Sequence, residues 1–430
     1  MCYHAGMKKL NPSRLCGVYL VLMSSVFPLA FTPAGYLNIA ETKLAVFCFL
    51  SGGFLLLFLL LRLRGPLEGR LSWDPIRALV LAYWAWSLFS ALLSPWPRTA
   101  LLGGDRFDGM ITMTLYVAVF LLLSLYGGLE HFPVWLPAAA LSVLCVTAIL
   151  QLFDLNPFRL YPGELRWSGR ETEYNGAFLS LTGNADLTAS VLCTGFGLLW
   201  PLGMQRGRRW LWLPAAACLG VLAASGIRSG ILGAAASLLL YLPSCLPLEK
   251  KTKRRVYAGL LLLCFLCLLL VYLVPLPGTA GELHAVLRGH ADDSFGSGRI
   301  YIWRNVWQLV KERPILGGGP DTLGERGLAF VRTAPDGSAI RRTIDCAHSE
   351  PLNILVNQGA PALLLLTAAM LLTLIRSFHC KGAAVPALRS ALISYGIASL
   401  FGIAMPANSA FAWLLLGMLL AEIGKTAVNQ

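Results

Sequence analysis

The feature that most constrains this chain is a series of apolar runs, several of which approach or exceed the roughly 20 residues that a helix needs to cross a bilayer. The runs are far longer than the strands of about 10 residues that form membrane barrels. Only 13% of the residues are charged, whereas soluble domains carry roughly 25%. A water-soluble globular protein is therefore excluded, and the sequence predicts a polytopic helical membrane protein.

Charged residues, prolines and glycines divide the chain into twelve apolar runs. The runs cover residues 15–33, 43–61, 76–94, 110–126, 132–152, 185–204, 210–226, 229–247, 256–274, 352–375, 388–405 and 409–424. Lys8, Lys9 and Arg14 precede the first run, as in a signal peptide. No convincing small-residue cleavage site occurs before Tyr36, so we interpret the first run as a span. We predict an all-α fold of about 12 transmembrane helices.

The formal net charge of +13 is informative first about membrane topology, because Lys and Arg collect in the cytoplasmic loops of membrane proteins. With the N-terminus inside, the basic clusters all fall into cytoplasmic loops. These clusters are Arg62, Arg64, Arg70 and Arg77; Arg206, Arg208 and Arg209; Lys250, Lys251, Lys253, Arg254 and Arg255; and Arg376, Lys381, Arg389 and Lys425. We predict two cytoplasmic termini and no nucleic-acid partner.

The opposite membrane face receives the long polar segments, near 95–109, 153–184 and 275–351, and function is expected there. We divide the chain into the helices of residues 1–274, an extracytoplasmic loop of 275–351 with the candidate active site, and the helices of 352–430. Nearly all cations of this face are arginines, whose planar fork suits phosphate. The alternative is that the positive-inside bias leaves some arginines outside by chance.

Arg299 is the first candidate anion-binding residue. Ser294 or Ser297 can cap a predicted helix over residues 298–312. Arg299 lies in its first turn, where free N–H groups favour an anion. The same helix face carries Trp303, Val306 and Val310. Arg299 therefore points toward membrane or protein and needs an anionic partner, unless it is a snorkelling arginine at the interface.

His348 is the candidate general base, because an imidazole is well suited to take a proton from a hydroxyl near neutral pH. It lies at the outer boundary of the tenth run, and Glu350 is near enough in sequence to orient it. A polar helix end is the alternative for both. Arg228 lies in the short connection between the seventh and eighth runs, where an ionisable side chain is costly without a partner.

Two further outer patches, residues 103–109 with Arg106 and residues 182–186 with Asn184 and Asp186, are candidates for contacts to sugar hydroxyls. Ordinary turn and helix-cap chemistry explains them equally well. Most of the eleven cysteines lie inside apolar runs, so no disulfide framework is expected. The sequence offers no convincing cluster of metal ligands.

The arrangement resembles the bacterial O-antigen ligase and polymerase superfamily, whose members transfer glycans from undecaprenyl-pyrophosphate carriers on the outer face of the cytoplasmic membrane. The resemblance rests on Ser297-Gly298-Arg299, Trp303, the Pro-Ile-Leu-Gly-Gly-Gly segment 314–319 and His348-Ser349. After its His, the family continues with a small polar residue, nine further positions and then GxxG; here Ser349 and nine residues follow His348. Residues 359–362 here read Gly-Ala-Pro-Ala, so this chain departs from the pattern at the last glycine.

By this resemblance His348 would be the general base on the acceptor hydroxyl, while Arg299 and Arg228 would hold the donor pyrophosphate. Further substrate contacts are assigned to Glu350, Arg304, Ser349, Asn184, Asp186 and Arg106. The implied partners are an undecaprenyl-pyrophosphate-linked glycan, an acceptor that is a glycan, lipid or cell-wall hydroxyl, and membrane lipid. The resemblance implies a bacterial inner-membrane glycosyltransferase of cell-surface polysaccharide biosynthesis, without metal or other cofactor.

Two other classes of function remain open from the sequence. A transporter or flippase of lipid-linked glycan would also need about twelve spans and buried arginines, but such proteins usually carry internal repeats and polar groups near the midplane. No obvious repeat is present, and the unusual polar residues concentrate at one face. A scaffold protein would bind a partner through the loop 275–351.

Overall fold

The computed structural model describes residues 11–64, 73–129, 132–161, 166–168, 173–175, 177–245, 248–333, 339–380 and 382–428. Some cations of the topology argument lie outside the described residues: Lys8, Lys9, Arg70, Arg170 and Lys381. Within the described part the chain is mostly helical, with two short antiparallel hairpins.

The long apolar helices form the body of the protein. They are α1 (Pro12–Val21), α2 (Ile39–Arg64), α3 (Pro75–Leu92), α5 (Met110–Tyr126), α6 (Trp135–Leu152), α7 (Ala185–Gly203), α8 (Trp212–Ser225), α9 (Arg228–Cys245), α10 (Lys250–Leu273), α13 (Glu350–Ser377), α14 (Val385–Ser399) and α15 (Pro406–Val428). Shorter elements lie between them. These are α4 (Pro97–Leu102), α11 (Thr279–Leu287), α12 (Phe295–Glu312) and the hairpins β1 (Arg166–Ser168) with β2 (Glu173–Asn175) and β3 (Ala329–Thr333) with β4 (Ala339–Thr343).

Each of the twelve predicted apolar runs contains a helix. In the described part of the chain, eight helices are long and apolar enough to cross a membrane, and α5 and α8 are shorter apolar helices. The polytopic all-α membrane fold is therefore confirmed. The count of twelve spans, the orientation of the termini and the division at residues 274 and 351 stay predictions.

Helix α14 lies at the centre of the bundle, where it packs against α7, α9 and α15. Small residues allow this close packing. A Cβ on Gly197 of α7 would meet the backbone of Ala391 in α14, and a Cβ on Gly233 of α9 would meet the carbonyl of Ser394. Helix α15 packs in turn on α5, and α13 packs on α3. The glycines therefore set how closely the central helices approach each other.

A buried lysine in α2 stabilises the end of the first apolar run. After α1 the chain continues as short π and 3-10 segments to Leu29, which leaves backbone carbonyls without helical partners. The ammonium of Lys43 donates to the carbonyls of Phe27 and Pro28 at 3.1 and 2.8 Å. Lys43 is 2% exposed, so these bonds satisfy a charge that the apolar surroundings would otherwise exclude.

The Pro-Ile-Leu-Gly-Gly-Gly segment inserts beside a break in α13, which lies at Gly359 (φ 82°, ψ 175°). Carbonyls released by the break accept hydrogen bonds from the inserted backbone: Val356 accepts from Gly318 at 3.2 Å, and Asn357 accepts from Gly319 at 2.7 Å. A Cβ on Gly359 would overlap the carbonyl of Ile315. Gly359 therefore has a packing role at this break.

Candidate functional site

The N-terminal ends of α5, α7, α9 and α13 lie beside the segment between α10 and α13, which contains α11, α12 and the β3–β4 hairpin. We call it the outer segment, because the sequence predicts that it lies outside the membrane. Ion pairs join this segment to the helix ends: Arg106 pairs with Asp345, Arg299 with Asp186, and Arg228 with Glu282. When successive helices run in opposite directions, every second helix begins at the same face of the bundle. The structure therefore brings together residues that lie as far apart as 106 and 348 in the sequence.

His348 has a left-handed backbone conformation, with φ +48°, and both backbone polar groups of the preceding residue, Ala347, are hydrogen-bonded. The indole N–H of Trp303 donates to the carbonyl of Ala347 at 2.9 Å. The N–H of Ala347 donates to the side-chain oxygen of Asn353 at 3.2 Å. Ala347 is fully buried. Helix α12, through Trp303, and helix α13, through Asn353, therefore fix the position of His348 together.

The electrostatic surroundings keep the His348 imidazole neutral. Burial is the largest cause that lowers its pKa to about 4, and the positive charges of Arg299 and Arg106 lower the pKa further. The carboxylates of Asp186 and Asp345 act in the opposite direction. The buried Nδ1 of His348 has no hydrogen-bond partner among the described residues. A neutral imidazole with a free nitrogen can accept a proton, as a general base must.

Arg299 lies at the start of α12, as the sequence predicted, and its two terminal nitrogens contact different groups. One terminal nitrogen donates to the carbonyl of Gly296 at 2.9 Å, and the other lies 3.6 Å from the carboxylate of Asp186. Its buried Nε has no partner among the described residues. Gly296, Ser297 and Gly298 all have positive φ, and this turn precedes the regular part of α12.

Ser294, one of the two serines expected to cap α12, makes no side-chain bond to the helix. Its hydroxyl donates instead to the carboxylate of Asp292 at 2.6 Å. The amphipathic face of α12 is as predicted, with Val306 and Val310 buried.

Arg106 forms the shortest ion pair of the site, at 2.7 Å to the carboxylate of Asp345. A second bond reaches the sulfur of Met405 at 3.7 Å. The loop that carries Arg106 is tied to the outer segment by Asp321, whose carboxylate accepts from the backbone N–H groups of Gly104 and Asp108 at 2.7 and 3.0 Å. The patch 103–109 is therefore part of the site wall.

No described hydrogen bond joins Glu350 to His348. Its carboxylate accepts from the hydroxyl of Tyr395 at 3.0 Å and lines a cavity of about 30 Å³ together with Asp108, Asp321 and Asn357. Such a volume suffices for a water molecule. We find that Glu350 belongs to this polar cavity beneath the site, so the expectation that it orients His348 gains no support.

The carboxyl groups of the cavity titrate at unusual pH values. Burial, together with the nearby carboxylates of Asp321 and Glu350, raises the pKa of Asp108 to about 8. Burial also raises the pKa of Asp321 to about 6, although its two backbone hydrogen bonds act in the opposite direction. Near neutral pH the cavity therefore holds a mixture of protonated and ionised carboxyl groups.

Ser349 and Arg304 border an open depression of about 430 Å³ outside the His348 loop, which Trp303, Trp307, Gln308 and Leu352 complete. Arg304 is half exposed and pairs with Asp293 at 2.8 Å. The structure therefore places Ser349 and Arg304 on the same surface, near the catalytic candidate but not in its electrostatic cluster.

Asn184 serves as the N-cap of α7, with its side-chain oxygen accepting from the N–H groups of Asp186 and Leu187 at 2.8 and 3.2 Å. Its cap role holds the Asp186 carboxylate in the first turn, opposite Arg299. The alternative of cap chemistry is thus confirmed for Asn184.

Arg228, at the first residue of α9, is half exposed, and the described anion that pairs with it is Glu282, at 3.4 Å.

Metal ligands and disulfides play no visible part in the described residues. No group of three or more His, Cys, Asp or Glu side chains is placed there to hold a metal ion. Nine cysteines whose side chains the structure describes are free thiols. Metal independence itself stays a prediction.

Sequence reasoning missed Asp321 and Tyr395, which line or border the polar cavity, and Glu282, which pairs with Arg228. It included Asp108 in the patch 103–109 but did not place it in this cavity. An acidic residue next to an apolar helix is the signal for Asp108, since such a residue needs a partner. Tyr395 lies inside an apolar run, and no local pattern distinguishes it from a core tyrosine.

Comparison with known proteins finds a family match for the central part of the chain. Residues 188–367 match the family described as O-antigen ligase (Wzy_C). The matched segment contains Arg228, Arg299 and His348, whereas Arg106 and Asp186 precede it. No curated protein matches the chain. The match over residues 188–367 therefore supports membership of the O-antigen ligase superfamily.

Proposed function

We propose that this protein transfers a glycan from an undecaprenyl-pyrophosphate carrier to an acceptor hydroxyl at the outer face of a bacterial cytoplasmic membrane. The family match supports glycan transfer of the ligase or polymerase kind. The carrier, the acceptor class and the membrane face belong to the proposal.

The observation that carries the proposal is that two ion pairs, Arg299–Asp186 and Arg106–Asp345, join the helix ends to the outer segment around the buried imidazole of His348, whose pKa responds to all four charges. A base beside guanidinium groups suits a reaction in which a hydroxyl loses a proton while an anion leaves. The same arrangement at the end of apolar helices suits a donor whose lipid lies in the membrane and whose phosphates lie at the surface.

In this mechanism the acceptor hydroxyl attacks the anomeric carbon of the donor sugar, and His348 takes the hydroxyl proton. The bond between the anomeric carbon and the pyrophosphate oxygen breaks, and its electron pair leaves with the lipid pyrophosphate. Arg299 and Arg228 balance the negative charge of that leaving group. Because pyrophosphate is already a good leaving group, the protein contributes mainly position and charge.

The proposal is tested in cells with His348→Ala and Arg299→Ala, with glycan product measured beside protein abundance on a blot. The matched controls are His290→Ala and Arg313→Ala, which remove the same side-chain types from exposed positions of the outer segment. We expect normal abundance for all four variants and loss of product for the first two only. Full activity of His348→Ala or Arg299→Ala at normal abundance would refute the assignment.

A further inference from the structure

The carboxylate of Glu282 occupies a position where two hydrogen-bond donors converge on one oxygen. Its Oε2 accepts from the Nη1 of Arg228 at 3.4 Å and from the backbone N–H of Gly296 at 3.2 Å. A guanidinium and a backbone N–H that share an anionic oxygen form the kind of contact that phosphate groups use. The oxygen of Glu282 therefore marks an anion position.

A single residue, Gly296, connects this anion position to Arg299. The N–H of Gly296 donates to Glu282, while the carbonyl of Gly296 accepts from Nη1 of Arg299 at 2.9 Å. Arg228 and Arg299 are thus arranged around Gly296, although 71 residues separate them in the sequence. The two cations can reach one diphosphate group from two sides.

In the described arrangement both cations already have a carboxylate neighbour. Glu282 pairs with Arg228, and Asp186 lies 3.6 Å from Arg299. A diphosphate that enters between the arginines meets two cations and two carboxylates, so the local charge offers little attraction. Binding becomes favourable when one carboxylate leaves.

Glu282 is the carboxylate that can leave. It lies on the short helix α11, which is attached to the end of α10: His284 bonds to the carbonyl of Val271 at 2.8 Å, and Arg288 donates to the carbonyl of Tyr272 at 3.1 Å. Helix α10 has no buried residue in the protein, so α10 and α11 can shift together with little loss of packing. Asp186, by contrast, lies in the capped first turn of α7, whose residues are mostly buried.

We propose that Arg228 and the Gly296 N–H form a binding site for a phosphate oxygen of the donor, that Glu282 occupies this site in the empty protein, and that donor binding displaces it. The inference rests on the proposed function and adds to it a backbone ligand and a competing carboxylate. It predicts that removal of the Glu282 charge strengthens donor binding.

The test measures binding of undecaprenyl pyrophosphate without a glycan to the full-length protein in nanodiscs, so that no turnover is required. Glu282→Gln should bind the lipid about two- to five-fold more tightly than wild type, the range expected when a half-exposed ion pair no longer competes. Glu282→Ala should give a similar gain. The matched control Glu312→Gln removes an equal charge at the far end of α12 and should leave affinity unchanged.

A double-mutant comparison tests whether the gain in lipid affinity by Glu282→Gln depends on Arg228. In Arg228→Ala, which removes the guanidinium of the site, the further change Glu282→Gln should give a smaller gain than in the wild-type background, because only the Gly296 N–H is then released. Equal or weaker binding by Glu282→Gln in the wild-type background overturns the inference, and the proposed function survives if wild type still transfers glycan. If neither wild type nor Glu282→Gln binds the lipid and no transfer occurs, both the inference and the proposed function are refuted.

Discussion

The bond between Trp303 and the carbonyl of Ala347 gives a sharp prediction about His348. Trp303→Phe keeps an aromatic ring in the helix α12 but removes the indole N–H that donates at 2.9 Å. Ala347 is fully buried, so its carbonyl is left without this donor, at a cost of about 1–3 kcal/mol. If that cost falls on the active arrangement of the His348 loop, activity declines about 5- to 150-fold.

The assay compares kcat and KM of Trp303→Phe with those of Trp307→Phe, one helical turn further on. Trp307 is 48% exposed and makes no described hydrogen bond, so its change tests the aromatic surface alone. We expect kcat to decline for Trp303→Phe with the donor KM nearly unchanged, because the positioning of the base is affected and the arginines are not. Equal activity of the two variants would refute the positioning role.

Three further predictions concern the same site. The acid limb of the pH profile of kcat/KM should lie near pH 4, because the neutral form of His348 is the active one and its pKa is lowered to about 4; a limb near 6.5 would contradict this environment. Arg299→Lys should lower kcat/KM roughly 10- to 150-fold, because an ammonium group cannot bond Gly296 and face Asp186 together, and activity within two-fold of wild type would argue against the role. Gly359→Ala should lower the free energy of unfolding by about 2–5 kcal/mol, since it combines a positive φ with an overlap at Ile315, and an unchanged melting temperature in detergent would refute the packing argument.

Much of the fold follows from the sequence, because the lipid environment admits so few solutions. An apolar run of about 20 residues must form a helix in a bilayer, where every backbone group needs an internal partner. The twelve runs accordingly contain helices. The break in α13 was beyond this reasoning, because it depends on a segment some 40 residues earlier that supplies N–H groups to the freed carbonyls.

The candidate site was predictable where a single residue carried the signal. An arginine in the first turn of an amphipathic helix and a histidine at a helix boundary both stand out locally. The partners of these residues do not, because they come from other parts of the chain: Asp186 for Arg299, Glu282 for Arg228. Glu350 is the opposite case. Its closeness in sequence to His348 suggested that it orients the histidine, whereas its carboxylate accepts a hydrogen bond from Tyr395.

The central claim is that His348 serves chemistry and not transport. The most direct measurement incubates the purified protein in nanodiscs with a short undecaprenyl-pyrophosphate oligosaccharide and candidate acceptors, and follows the lipid-linked glycan by mass spectrometry for wild type and His348→Ala. The account predicts a transferred or lengthened glycan and released undecaprenyl pyrophosphate with wild type, and intact donor with His348→Ala. Donor that stays intact with every acceptor, while proteoliposomes containing the wild-type protein move it across the bilayer, would contradict the account and favour a flippase.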